Sequence, residues 1–320
     1  MSIIASTISA AAHVLPSTRS GRLLILIYHR VHSRPDAMFR GEVDAVRFDR
    51  QMLLVRQYCT PISLAAGVRH LLRDSLPPRA VAVTFDDGYA DNATIALPIL
   101  RRHRVPATFF IAPAFLDGGR MWNDSVIETL RRTPGDFLDL TELGLGDYVL
   151  VGEDTRAAAA EAIIRAVKHR SPQDRLALVA AICELSATKL PDDLMMTSAQ
   201  VRELADAGMG IGAHTMTHPI LRTLSEEAAR AEIDDSRRAL EKIAGTSVRA
   251  FAYPNGRPGD DYTERDRDLV KSLGFDVATS TSWGVATRES DVLQLPRFTP
   301  WDRSPGRWLA RLLLTFSRRA

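Results

Sequence analysis

Cysteine is nearly absent from this chain, and its scarcity limits the kinds of site that the chain can build. The 320 residues include two cysteines, Cys59 and Cys183, which lie far apart and form no Cys-x-x-Cys pair. A disulfide framework and a thiolate metal centre are therefore excluded. Any metal site has to use histidine and carboxylate ligands.

Long apolar runs, a strong charge excess and phosphate-binding glycine loops are also lacking. No apolar run approaches the ~20 residues needed to span a bilayer. The net charge of +2 is too near neutral for a nucleic-acid binder, so we expect no nucleic-acid partner. The patterns GxGxxG and GxxxxGK[ST] do not occur. Residues 1–21 predict a leader or docking segment without a basic start, and we expect a cytoplasmic protein.

Strand and helix patterns alternate along most of the chain, which predicts parallel βαβ units. The strand patterns lie at 23–29, 81–85, 107–112, 209–213, 248–253, 276–280 and 292–298. Seven or eight strands predict a distorted (β/α) barrel over residues 22–300, with an open doubly wound sheet as the alternative. The rhythm is interrupted at about 113–196, which predicts a helical insertion in one βα loop.

Two short polar segments predict where helices begin. Asp91 or Asn92 is expected to cap the helix that follows the strand at 81–85, and the segment Thr223–Glu226 has the form of a capping box.

The apolar tail at 301–320, which carries flanking arginines, could pack on the barrel, lie on an anionic membrane surface or bind a partner protein. We favour packing, with peripheral membrane contact as the alternative.

Two adjacent carboxylates, Asp86 and Asp87, follow the apolar strand pattern at 81–85. Side chains at the carboxyl ends of parallel strands meet where α/β proteins build active sites. Neighbouring carboxylates repel each other, and a divalent cation would keep both ionised, with one as its ligand and the other free as a base. An ordinary Asp-Gly turn is the alternative interpretation.

Two histidines, His214 and His218, follow another predicted strand. Their spacing of four keeps both side chains on one face, and Pro219 favours a strand end or tight turn over a helix. Together with one aspartate from the first strand end, they would form a two-histidine, one-carboxylate site with open positions for water and substrate. A pair of surface histidines near a turn is the alternative.

The sequence Thr-Phe-Asp-Asp-Gly at 84–88, followed by His-Thr-x-x-His at 214–218, resembles the polysaccharide deacetylases, the NodB-type homology domain of carbohydrate esterase family four. The resemblance covers roughly residues 22–300. It implies a distorted (β/α) barrel and metal-dependent removal of acetyl groups from N-acetylated sugars. By motif position, Asp87, His214 and His218 would be the metal ligands and Asp86 the general base.

The resemblance also implies an oxyanion donor, because the family uses the N–H that follows a strand-end proline. Tyr253-Pro254-Asn255 matches that place, so the Asn255 N–H is the candidate donor, and Tyr253 and Pro254 are candidate substrate contacts. Many members carry an arginine just before this motif, where the present chain has Ala252. We expect Arg297, at another strand end, to supply the charge that braces the catalytic aspartate.

The general acid of many family members is a histidine in a C-terminal Leu-x-x-His motif, but no histidine follows His218 in this chain. Tyr28-His29 resembles the N-terminal Tyr-His motif of a branch that includes biofilm-polysaccharide deacetylases. His29 is therefore the expected acid for the leaving amine. A buried or capping histidine is the alternative.

Within the predicted insertion, Trp122, Asn123 and Asp124 are candidate sugar contacts, because aromatic faces stack on sugar rings and polar groups bind hydroxyls. A tryptophan that anchors the insertion's own core is the alternative.

Taken together, these residues predict a metal-dependent deacetylase that acts on an N-acetylated polysaccharide or glycan precursor. Zn²⁺ is the expected ion, with Co²⁺ or Ni²⁺ as alternatives. A cyclic ureide or imide hydrolase on the same fold and a non-catalytic carbohydrate-binding module are the competing interpretations. The retention of both aspartates argues against a pure binder, which needs no free base beside a metal.

Overall fold

A computed structural model of the chain describes residues 21–299 and 301–317, and the predicted N-terminal segment lies outside them except for Gly21. The strands in this part are β1 (Leu23–Tyr28), β2 (Thr60–Pro61), β3 (Ala80–Phe85), β4 (Ala107–Ile111), β5 (Phe137–Leu140), β6 (Gly146–Val149), β7 (Gly210–Ala213), β8 (Ala250–Ala252), β9 (Val277–Trp283) and β10 (Leu295–Arg297). Seven of them run parallel in the order β1-β3-β4-β7-β8-β9-β10, and β2 pairs with β3.

The sheet nearly closes on itself between β1 and the residue after β10. The Ile27 N–H donates to the Phe298 carbonyl at 3.1 Å, and the Phe298 N–H donates to the Ile25 carbonyl at 2.7 Å. This parallel contact joins the first and last strands of the order. The predicted distorted (β/α) barrel is confirmed, and the open doubly wound alternative is wrong.

Helices cover the outside of the barrel. They are α1 (Ala45–Tyr58), α2 (Leu64–Leu72), α3 (Leu97–His103), α4 (Trp122–Arg132), α5 (Glu153–Val167), α6 (Pro172–Leu185), α7 (Ser198–Asp206), α8 (Glu226–Ala244), α9 (Glu264–Ser272) and α10 (Pro305–Ser317). The main core lies between the strands and these helices. Among the described residues, no helix has both the length and the apolar character needed to cross a bilayer.

The predicted helical insertion lies between β4 and α7. It contains α4, α5, α6 and the antiparallel hairpin β5–β6. These elements share a separate apolar core that includes Leu130, Leu140 and Ile163. The insertion is therefore a small folded layer placed on one βα loop.

The barrel interior is filled by side chains stacked along its axis. A Cβ atom on Gly212 of β7 would lie 2.4 Å from the Phe110 ring, so only glycine leaves room for that ring. The Arg297 guanidinium lies over the same ring, 5.9 Å from its centre. The interior is therefore packed up to the level at which the strands end.

Two helix-capping predictions are wrong. Asp91 makes no capping hydrogen bond, because its carboxylate binds the chain after β1, and residues 92–96 form one π-helical turn before α3. The cap of α8 is Ser225 and not Thr223, whose hydroxyl donates to the Ile220 carbonyl at 2.7 Å.

The tail after β10 packs on the barrel over its described residues. Trp308 and Leu312 of α10 are fully buried in the main core. Packing, the favoured of the three interpretations, is what this helix shows.

Candidate active site

The two aspartates leave the end of β3 in different directions. Asp86 and Asp87 are 2% and 7% exposed, so both carboxylates are buried. Asp87 has a φ of 78° and Gly88 a φ of 93°, which turns the chain sharply after Asp86. A Cβ atom on Gly88 would also lie 2.9 Å from the Ile111 side chain, so this turn requires glycine. The turn separates the roles that the two carboxylates can play.

Asp87 faces the two histidines that follow β7. Its Oδ1 lies 3.4 Å from Nε2 of His214 and 3.5 Å from Nε2 of His218. One ligand atom from each of the three residues lies within 4.8 Å of the others. This mixed nitrogen and oxygen set suits a transition-metal ion such as Zn²⁺, Co²⁺ or Ni²⁺.

The imidazole of His214 is oriented by the neighbouring strand. Its Nδ1 donates to the Ala252 carbonyl of β8 at 2.7 Å, which leaves Nε2 as the nitrogen that faces Asp87. A backbone carbonyl behind a histidine is a common support for a metal ligand, because it selects the tautomer and holds the ring. The arrangement therefore fits the predicted divalent ion.

The pKa values of the triad follow from burial and mutual charge. Burial raises the pKa of Asp87, but the hydrogen bond with His214 and the charge of His218 outweigh it and hold this pKa well below its usual value. Burial lowers the pKa of His218 to about 4, against the charge of Asp87. The pKa of His214 moves the other way, because burial lowers it but the hydrogen bond with Asp87 and the charges of Asp86 and Asp87 outweigh burial and raise it. A metal needs a carboxylate and neutral imidazoles, so a proton held by His214 would be released on metal binding.

The loop that carries both histidines is held by a residue that the sequence patterns did not single out. Glu232 of α8 accepts hydrogen bonds at 2.8 Å from the backbone N–H groups of Met216 and Thr217, and at 2.6 Å from the Thr217 hydroxyl. Thr215 and His218 have φ values of 60° and 55°, so the loop is tightly bent. Glu232 therefore provides hydrogen-bond acceptors for the backbone N–H groups that lie between His214 and His218.

Asp86 faces Arg297 instead of the histidines. The two guanidinium nitrogens of Arg297 each donate to one carboxylate oxygen at 2.7 Å, and the Nε–H donates to the Ser280 carbonyl at 2.8 Å. Both side chains are almost fully buried. Burial raises the pKa of Asp86, but the charge of Arg297 outweighs it, so the pKa lies below its usual value.

His29 follows β1 and is exposed at the same end of the barrel. A positive charge on its ring would help to lower the pKa values of Asp86, Asp87 and His218. The Asn92 amide donates to the His29 carbonyl at 2.9 Å. The candidate acid thus lies at the same end of the barrel as the carboxylates and is anchored through its backbone.

The buried carboxylate of Asp91 holds the chain directly after His29 in place. Asp91 accepts from the Arg30 Nε–H at 2.8 Å and from the Val31 N–H at 3.0 Å. The sequence pattern assigned Asp91 to a helix cap because aspartate is common there. No local signal distinguishes this long-range anchor from a cap.

Asn255 lies in a tight turn after β8. Its φ is 58°, and its carbonyl accepts from the Thr281 hydroxyl at 2.7 Å. Within residues 21–299 and 301–317, the Asn255 N–H donates to no protein acceptor. It is therefore available as a donor, as the predicted oxyanion role requires.

Two of the predicted substrate contacts, Tyr253 and Asp124, have buried side chains. Tyr253 is fully buried, its hydroxyl donates to the Leu293 carbonyl at 2.9 Å, and its ring stacks on Tyr262. Asp124 is 5% exposed, and the Tyr89 hydroxyl lies 3.1 Å from both of its oxygens. These side chains hold the structure around the site together.

The other predicted contacts are partly or fully covered. Trp122 is half-buried against the insertion core, and the Arg175 guanidinium lies over its ring. This packing matches the alternative interpretation, in which the tryptophan anchors the core of the insertion. The Asn123 side chain is half-buried and makes no hydrogen bond in the described part of the chain. Pro254 is buried, and its carbonyl accepts from the Gly256 N–H at 2.6 Å.

The chain is similar to known proteins over most of its length. A family model described as polysaccharide deacetylase matches residues 73–132 and 178–278, about half of the chain. The chain is 21% identical to the Bacillus subtilis protein YxkH, whose name assigns it to the polysaccharide deacetylases, over 88% of this chain and 73% of that protein.

Two solved structures show the same fold. The Streptococcus pyogenes deacetylase PplD, in complex with acetate, has a TM-score of 0.60 at 21% identity, covering 93% of this chain and 99% of that one. IcaB from Ammonifex degensii has a TM-score of 0.60 at 18% identity, covering 94% and 99%.

Proposed function

Because this chain belongs to the polysaccharide deacetylase family, we propose that it removes N-acetyl groups from a polysaccharide or glycan precursor with the help of a divalent metal ion. The observation that carries the proposal is the division of the aspartate pair. Asp87 faces two histidines, while Asp86 faces Arg297. This division leaves one carboxylate for the metal and one for the proton.

Asp87, His214 and His218 would hold the ion. When bound, a divalent cation of this kind acts as a Lewis acid and lowers the pKa of a water ligand. Zn²⁺ is the ion that we propose, with Co²⁺ and Ni²⁺ as alternatives.

Asp86 would accept the proton of the attacking water. Its low pKa keeps the carboxylate ionised at neutral pH, and each oxygen retains a lone pair beyond the one that Arg297 uses. Arg297 would fix the direction of the carboxylate through two parallel hydrogen bonds. The pair would therefore act as an oriented base.

Two further groups would complete the reaction. The Asn255 N–H would donate a hydrogen bond to the oxygen of the acetyl carbonyl as negative charge develops on it. His29, at the same end of the barrel as the carboxylates, would give a proton to the leaving amine. The products would be acetate and a free amino sugar.

Acetate release tests the proposal directly. The protein is loaded with Zn²⁺, Co²⁺ or Ni²⁺ and assayed on N-acetylglucosamine oligomers, alongside ring opening of a small cyclic ureide. We expect acetate, and we expect Asp86→Asn to lower kcat by about 10²–10⁴-fold while the metal stays bound. Unchanged turnover in this variant would rule out the general base. Ureide opening alone would favour the cyclic-amide hydrolase, and metal binding without any hydrolysis would favour a carbohydrate-binding module.

A further inference from the structure

A cleft of about 540 Å³ opens beside the candidate active site, between the insertion and two loops of the barrel rim. One wall is the end of α5, with Lys168. The other walls are the chain shortly after His218, with Arg222, and the turn after β8, with Asn255 and Arg257. The cleft therefore borders both the metal loop and the candidate oxyanion donor.

Three cationic side chains line this cleft without a carboxylate partner. In the described part of the chain, no carboxylate oxygen lies within 4.0 Å of the charged nitrogens of Lys168, Arg222 or Arg257. Arg222 does donate to the Gly259 carbonyl, which holds its guanidinium at the cleft. Positive charge thus gathers in a concave place, where its field is focused.

Two arginines next to the candidate catalytic groups differ in this respect. Arg297 is matched by Asp86, and Arg30 is matched by Asp91. The positive charges that adjoin the aspartates and His29 are thus neutralised, whereas those of the cleft are not.

Two carboxylates also line the cleft, but neither neutralises these cations directly. Asp261 is 8% exposed, and its carboxylate accepts from the backbone N–H of Arg257 at 2.9 Å, which commits it to the turn. Asp260 is exposed at the edge. The guanidinium of Arg257 and the ammonium of Lys168 remain free to bind an anionic ligand.

We propose that this cleft binds an anionic group of the glycan, a carboxylate or a phosphate, while the N-acetyl group lies at the metal site. The inference rests on the proposed deacetylase function and adds a substrate class to it. Arginine suits both anions, because its planar nitrogens match two oxygens at once. The preferred substrate is then an acidic glycan or a phosphate-linked sugar, and a neutral homopolymer is the poorer one.

Three probes that share an N-acetylglucosamine unit test the charge preference. They are the neutral N-acetylglucosamine tetramer, a hyaluronan tetrasaccharide with glucuronate carboxylates, and UDP-N-acetylglucosamine with phosphates. We expect kcat/KM for at least one charged probe to exceed that for the neutral tetramer about tenfold at low salt. Raising the ionic strength from about 0.05 M to about 0.5 M should shrink this ratio. The better charged probe identifies the source of the anion.

Single substitutions locate the effect in the cleft. Arg257→Gln and, separately, Lys168→Gln should lower the charged-to-neutral ratio of kcat/KM about five- to tenfold, mainly through KM. Lys242→Gln is the matched control, because this exposed lysine lies at the end of α8 that leads to the opposite end of the barrel. The control should leave the ratio as it is. A ratio near one in the wild type, or equal losses in all three variants, would overturn the proposal.

Binding separates this inference from the activity on which it rests. The three probes are titrated calorimetrically into the metal-loaded Asp86→Asn variant. Tighter binding of at least one charged probe than of the neutral tetramer, with no acetate released by the wild type, would support the cleft and refute the deacetylase. Binding of neither charged probe more tightly than the neutral tetramer would refute the cleft even if acetate is released.

Discussion

Two buried aspartates, one on the barrel rim and one in the insertion, have pKa values shifted in opposite directions. On the rim, burial raises the pKa of Asp86, but Arg297 outweighs it and keeps the pKa low. In the insertion, burial raises the pKa of Asp124 to about 7, because its direct hydrogen-bond partner is the Tyr89 hydroxyl and the charge of Arg30 only partly offsets burial. The partner, and not the depth, decides whether a buried carboxyl is charged at neutral pH.

This contrast indicates that the rim and the insertion have different functions. The rim supplies opposite charges, which keep ionised groups ready for proton transfer. The insertion is attached to the rim by backbone hydrogen bonds, from the Met196 N–H to the Gly88 carbonyl and from the Ala90 N–H to the Leu194 carbonyl, and by the ion pair of Arg131 with Asp36. Asp124 itself has a neutral hydrogen-bond partner. Substitutions on the rim should therefore affect chemistry or metal binding, and substitutions at Asp124 should affect stability.

The largest effect is expected where the rim loses its compensating charge. Arg297→Ala leaves Asp86 buried and unpaired, so the free energy of unfolding should fall by about 3–5 kcal/mol, and kcat should fall with it. Urea unfolding and acetate release measure the two effects. The exposed Arg307→Ala is the control. If Arg297→Ala left stability and turnover unchanged, charge compensation would not be the property that distinguishes the rim from the insertion.

Removing the candidate acid should reduce chemistry without loosening the metal site. His29→Gln is expected to lower kcat by about 10²–10³-fold, because the leaving amine then lacks a proton donor. Metal affinity, measured by calorimetry, should stay near the wild-type value. His70→Gln, a change at an exposed histidine, is the control. Near-normal turnover of His29→Gln would remove His29 from the mechanism.

The next effect concerns the anchor of the histidine loop. Glu232→Ala frees the N–H groups between His214 and His218, and we expect metal affinity to fall by about 10–100-fold, as for other groups that orient metal ligands. Competition with a chelator measures the loss. Glu227→Ala, on the exposed face of the same helix, should keep full affinity. Equal affinities of the two variants would show that the loop needs no anchor.

The smallest effect is a pH dependence that belongs to the insertion. In metal-free protein, folded Asp124 keeps its proton up to about pH 7, whereas the unfolded chain releases it near 3.8. The folded state therefore binds more protons between these values, so the free energy of unfolding falls as pH rises from about 4 to about 7. Asp124→Asn should remove this fall and exceed the wild-type stability at pH 8.

Urea unfolding at pH 5 and pH 8 measures this difference. The exposed Asp193→Asn serves as the control and should follow the wild type. Parallel pH profiles for wild type and Asp124→Asn would mean that Asp124 is ionised at neutral pH like the rim carboxylates, and the contrast between the regions would disappear.

The placement of polar residues at strand ends could be predicted from sequence. Apolar strand patterns stop directly before His29, Asp86 and His214, and the carboxyl ends of parallel strands share one edge of the sheet. The closure of the sheet could not be predicted in this way. The pair formed by Arg297 and Asp86 spans 211 positions and depends on the contact between the first and last strands. Local patterns carry no information on such a contact, and Arg297 is expected to brace the aspartate only because the family resemblance calls for an arginine there.

Residues that position the site were misread or missed for a related reason. Glu232 on a helix surface has the pattern of a solvated side chain, and only the packing of α8 against β7 brings it to the histidine loop. Asp124 follows a tryptophan and an asparagine, which suggested a sugar contact, yet the helix buries it against Tyr89. Polarity indicates that a side chain needs a partner but does not identify that partner.

The separate core of the insertion has a consequence for how the chain folds. β4 ends at Ile111 and its neighbour β7 begins at Gly210, so pairing them closes a long loop. For a flexible chain of about 100 residues, the entropic cost of such closure is about 4 kcal/mol plus a constant. If the insertion condenses first around its own core, the ends approach each other and the effective loop shortens. The insertion would then determine how quickly the two central strands of the barrel meet.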